Sequence, residues 1–117
     1  IMRKIEEWIS MILEFVFKID KNSSPEKLLK LEASKEILKD LKSKIDAGNI
    51  NEAEDALFNL IKFKTQDSLL IGLLFYSHLN EKSSKFLNEH DFDREEIKTG
   101  IKDLLNECNM NSLSDLI

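Results

Sequence analysis

The chain has 117 residues, which suits one domain rather than two and is enough to bury a core without disulfide or metal staples. Hydrophobic residues make up 42% and charged residues 33%, a mixture that excludes a disordered chain. The net charge is -5 and the arginines are Arg3 and Arg94, which argues against a nucleic-acid binder, whose affinity comes from clustered Lys and Arg at phosphates.

The first predicted element is a helix over residues 2–21. Ile5, Trp8, Ile9, Ile12, Val16 and Ile19 recur at three- and four-residue steps along one face. Met11, Leu13, Phe15 and Phe17 fall on other faces, so this helix is either central in the fold or part of a partner interface. A boundary follows at Asn22-Ser23-Ser24-Pro25-Glu26. Ser23 is placed to cap a second helix, Glu26 completes a capping box, and Pro25 suits a first turn. That helix is predicted to run to Asp46. Leu28, Leu31, Leu38, Leu41 and Ile45 line it, and its lysines read as a solvated face interleaved with Glu32, Glu36 and Asp40. Gly48 suits a left-handed helix end. Asn51 and Glu54 read as the capping box of a third helix with Ala53, Ala56, Leu57, Leu60 and Ile61 on its apolar face. Phe58 and Phe63 lie off that face.

Asp67 is predicted to cap a fourth helix that starts at Ser68 and extends to about His90. Its run from Leu69 to Tyr76 is apolar all round, which predicts the most buried helix, with Gly72 permitting a close neighbour. Asp93 and Glu96 form the capping box of a fifth helix carrying Ile97, Ile101, Leu104, Leu105 and Cys108, and Gly100 beside Ile97 predicts tight packing. No segment reads as a strand. The expected fold is therefore all-α, a five-helix antiparallel bundle in a single domain over 1–110, with 111–117 a frayed tail.

The stretch Gly48-Asn49-Ile50-Asn51-Glu52-Ala53-Glu54 between two helices resembles the inner turn of a tetratricopeptide hairpin. In that family a glycine ends the first helix and a Glu-Ala pair opens the second. A wider resemblance covers the opening Ile1-Met2-Arg3-Lys4-Ile5-Glu6, the hairpin, and the block from Asp93 to Ile101. Together these look like a family of uncharacterised, all-helical proteins from Gram-positive bacteria. The likeness implies tetratricopeptide-like helical hairpins and a cytoplasmic setting, and it transfers no activity and no site residue.

Chemistry-bearing constellations are weak. His78, His90 and Cys108 lack metal-ligand spacing, the Asp and Glu pairs lack an accompanying Glu-x-x-His, and three scattered glycines cannot build a phosphate loop. No catalytic residue, metal or cofactor is expected. The lone Cys108 fits a reducing compartment, and no apolar run reaches the ~18 residues of a membrane span. The informative excess is apolar: Trp8, Met11, Phe15 and Phe17 on the first helix, Phe58 and Phe63 on the third. Aromatic and Met residues are enriched at partner surfaces. The expected function is a non-catalytic module that binds a protein partner or forms a homodimer. The second expectation is a small acidic inhibitor or immunity-type protein that neutralises an enzyme or toxin.

Overall fold

The computed structural model describes residues 1–18 and 24–117. The described residues are all-helical: α1 (Met2–Phe17), a 3-10 turn (Pro25–Leu28), α2 (Glu32–Asp46), α3 (Ile50–Ile61), α4 (Ser68–Asn80), α5 (Ser84–Glu89), α6 (Arg94–Glu107) and α7 (Asn111–Ser114). The capping role expected of Ser23 and the place of Ile19 on the first stripe lie outside the described residues.

The centre is α4, as its all-round apolar sequence requires. Every residue from Ser68 to Tyr76 is buried, and α1, α2, α3 and α6 all pack against it. Burying one such Leu or Ile side chain contributes about 1.5–3 kcal/mol. Two glycines set the spacing between α4 and α6. A Cβ on Gly72 would lie 2.5 Å from Leu104, and one on Gly100 would lie 2.2 Å from the Tyr76 hydroxyl. Those two contacts put the start of α4 against the end of α6, so the helices run in opposite directions. On the other side α2 runs alongside α4 in the same sense, since Lys30 and Leu31 meet Asp67 while Asp46 meets His78. Against α4, α1 presents Ile5, Ile9 and Ile12, all buried. It is thus a covering helix and not the central one.

Tertiary contacts moved several predicted helix ends. The second helix does not start at Pro25. After the 3-10 turn the chain is extended at Leu29 and Leu31, and α2 starts at Glu32. The cause is Asp67, 36 residues away. The Lys30 amide donates to its carboxylate at 3.1 Å and the Leu31 amide at 2.9 Å, so these donors are satisfied outside a helix. Leu28 and Leu31, predicted in the core, are consequently exposed. Asp67 occupies the position before α4 without bonding the α4 backbone through its side chain.

The turn between α2 and α3 is a Schellman motif. Gly48 has φ 88°, its amide donates to the Ile45 carbonyl, and the Asn49 amide donates to that of Lys44. It delivers the chain directly into α3 at Ile50, which is buried, so the expected Asn51 cap falls inside the first turn and Asn49 takes the cap position, without a side-chain cap bond. The fourth predicted helix breaks after Asn80. Ser83 starts α5 by accepting the Phe86 amide at 3.0 Å. Arg94 holds the break by donating to the Asn80 and Lys82 carbonyls and to the Asn80 side chain, whose amide in turn donates to the Met2 carbonyl. The Asp93–Glu96 capping box forms as predicted. Residues 111–117, expected to fray, include the short α7, whose Leu113 and Ser114 are buried against the rest of the fold.

Candidate interaction surface

With 3.6 residues per turn, Trp8, Met11 and Phe15 fall on one flank of α1, about 100° from the buried isoleucines. Phe15 is the most exposed of the three. Trp8 is half-buried with the Lys98 ammonium of α6 5.5 Å from its ring centroid, a cation–π arrangement. Met11 is half-buried and borders a shallow depression with Arg3, Glu6, Glu7, Ser10 and Glu14. Phe15 is 71% exposed. Phe17 lies on the opposite flank and lines a cavity of about 300 Å³ with Val16, Ile61, Leu69, Cys108 and Met110. Phe58 is half-buried against the core, and Phe63, after the end of α3, is 81% exposed. The six aromatic and Met candidates are therefore not one patch. Trp8, Met11 and Phe15 share a stripe on α1, but Trp8 and Met11 pack partly against the core as Phe17 and Phe58 do, and Phe15 and Phe63 are the exposed ones of the six.

The reactive side chains are in quiet environments. Burial pushes the Cys108 thiol above its usual value, Glu107 adds to this and Lys64 opposes it, so little thiolate forms near neutral pH. Burial drives the Tyr76 phenol upward as well, and its hydroxyl donates to Glu54 at 2.6 Å. Burial raises the Glu54 carboxyl; the Tyr76 bond opposes that shift and Glu96, Asp55 and Asp103 reinforce it. Tyr76→Phe is expected to cost about 1–2 kcal/mol at neutral pH by leaving a desolvated carboxylate short of a donor. Urea unfolding at pH 7 and pH 4 checks this: the penalty should shrink as Glu54 takes up a proton.

Sequence reasoning missed a groove of about 710 Å³ between the 3-10 turn, α2 and α4, floored in part by Leu29 and Leu38 and bordered by Lys27, Lys35, Lys39, Lys42, Asp46 and His78. Asp46 accepts from His78 at 2.7 Å and from Lys82 at 2.6 Å, bonds that hold its carboxyl below the usual range. Lys42 pairs with Glu26. No local pattern could announce this, because Asp46 and His78 are 32 positions apart. Among the described residues no group of three or more His, Cys, Asp or Glu is placed to hold a metal ion, and no helix is long and apolar enough to cross a membrane.

These features define a small all-helical domain with an aromatic stripe on its covering helix. Residues 1–109 match a family of unknown function, DUF6483, and the chain belongs to that family. No curated protein and no solved structure matches it.

Proposed function

We propose that this chain is a non-catalytic, tetratricopeptide-like interaction module of a reducing compartment such as the cytoplasm, which binds a protein surface through its exposed aromatic side chains. The observation that carries this reading is that Phe15 and Phe63 remain 71% and 81% exposed beside a core already closed without them. A phenylalanine ring left in water forgoes about 1.5–3 kcal/mol of burial, which a partner can recover. The hairpin of α2 and α3, with its Gly48 turn and the fully buried Ala53, supports the tetratricopeptide-like description. The half-buried, free Cys108 supports a reducing setting.

Photo-crosslinking side chains placed at positions 15, 63 and, as a control, at the exposed Asn106 test the reading in native cells. Adducts with polypeptide are expected at the two aromatic positions and not at the control. Equal labelling at all three positions, or none, would sink it. A cross-linked enzyme with a basic active site would favour the inhibitor reading, for which the net charge of -5 is the supporting feature.

A further inference from the structure

Three helices stop at one place. The last residues of α1 and α3, Phe17 and Ile61, and the cap residue of α6, Cys108, all line the cavity of about 300 Å³. Just past these ends Lys18, Lys64 and Asn109 have φ of 56°, 48° and 61°, left-handed backbone that residues with a side chain seldom adopt. Val16, Met110 and Leu69 from the first turn of α4 complete an apolar wall. Val16, Phe17, Cys108 and Met110 are only half-buried, so the fold leaves this wall partly uncovered. Among the described residues, the charged groups on the rim are one of each sign, Lys64 and Glu107, and they act on the Cys108 thiol in opposite senses. The rest of the rim is Thr65, Gln66, Ser68 and Asn109. The Thr65 and Ser68 hydroxyls bond each other at 3.2 Å, which uses one of their two protons and leaves the other for a ligand.

We propose that this cavity is a binding site for a small, uncharged, mostly apolar molecule carrying one hydrogen-bonding group. Size, wall and charge each narrow the occupant. A volume of about 300 Å³ is at the small end of ligand pockets and, at about 30 Å³ for each water-sized unit, holds about ten non-hydrogen atoms. Water against the apolar wall is poorly bonded, and displacing it favours an apolar body. The sulfur atoms of Cys108 and Met110 and the ring of Phe17 suit an aromatic one. An ionic head meets no net charge at a rim with one Lys and one Glu, and burying it against the wall is costly. The carbonyl ends of three helices add partial negative charge, which Lys18 and Lys62 beside them offset, and the amino end of α4 is matched by the buried Asp67. A hydroxyl or carbonyl on the ligand can instead take the spare Thr65–Ser68 proton. Neither Phe15 nor Phe63 lines this cavity, so its occupancy is independent of their reading as a protein interface.

Benzyl alcohol, benzoate and benzylamine share one ring and differ in the charge of the head, so as probes they separate an uncharged occupant from an anionic or cationic one. Titrating benzyl alcohol into the full chain with labelled methyl groups should give saturable NMR shifts at Val16, Ile61, Leu69 and Met110, with a Kd of about 1 mM. Benzoate and protonated benzylamine should each bind at least about tenfold more weakly. Bound benzyl alcohol should also slow the alkylation of Cys108 by iodoacetamide, with the same Kd. Val16→Trp, which fills the cavity from a half-buried position, should keep its circular dichroism and weaken binding at least about tenfold. Should that variant unfold, protection of Cys108 in the natural chain still decides occupancy. No saturable shift up to about 50 mM overturns the site, as does a Cys108 rate unchanged at saturation. Equal affinity for the charged heads overturns the uncharged class. Cross-links at positions 15 and 63 in cells decide the protein-surface reading separately.

Discussion

Gly48→Val is expected to destabilise the protein by about 3–4 kcal/mol, from two obstacles at one atom position. The backbone at Gly48 has φ 88°, which a β-branched side chain adopts only under strain of about 1–2 kcal/mol. The space above it is also filled. A Cβ there would lie 2.2 Å from Nε2 of His90 and 2.3 Å from Cδ2, well inside contact distance. His90 cannot easily yield, because its Nδ1 lies 2.7 Å from the Phe86 carbonyl and its ring packs at a tilt of 42° against Phe86 with centroids 4.5 Å apart. The end of α5 thus rests on the α2–α3 turn. A double-mutant cycle separates the obstacles. Gly48→Ala should cost about 3 kcal/mol in the natural chain and only the backbone strain, about 1–2 kcal/mol, in a His90→Ala background. Equal costs in the two backgrounds, measured by chemical denaturation, would remove His90 from the account.

That same contact marks how much of this fold can be read from sequence. Gly48, Gly72 and Gly100 were legible as points of close approach or left-handed backbone, because only glycine lacks the atom that would collide. What each glycine met was not legible: His90, Leu104 and Tyr76 come from other helices. The all-helical class and the central place of α4 followed from unbroken apolar periodicity. The Asp93–Glu96 box was legible because its two partners are three residues apart. Pro25 and Glu26 carried an equally good local signal for a helix start, yet the chain turns there as 3-10 and straightens, since Asp67 claims the next two amides. Glu54 resembled a capping residue and instead serves Tyr76. The aromatic excess was visible in the sequence as an excess, but its division was not. Lys98 shelters Trp8 and the core takes up part of Phe58, leaving Phe15 and Phe63 outside.

Asp67→Ala is the second substitution with a large expected effect, on the order of 3 kcal/mol. The carboxylate is 2% exposed and receives the Lys30 and Leu31 amides at 3.1 and 2.9 Å. Alanine leaves both donors without a partner in a part-buried joint between the 3-10 turn, α2 and α4, and each unmade bond costs about 1–3 kcal/mol. The pH dependence gives a sharper signature. Burial raises the Asp67 carboxyl, but hydrogen bonds from Ser34, Leu31 and Lys30 outweigh it and hold the group below the usual carboxylate range. A carboxyl lowered in the folded state contributes stability that is complete above its unfolded value of about 3.9 and is lost as pH falls through the folded value. Asp46, lowered by Lys82 and His78, acts in the same sense. Glu54, raised chiefly by burial, acts in the opposite sense and loses its contribution as pH rises through its folded value. The natural chain should therefore lose stability steeply below about pH 4, and Asp67→Ala should flatten that limb. Denaturation curves at pH 6 and near pH 2.5 should show the full penalty at the higher pH and a smaller one at the lower, nearer the pH at which the folded carboxyl takes up its proton. A penalty of the same size at both values would mean that Asp67 contributes shape rather than charge to the joint.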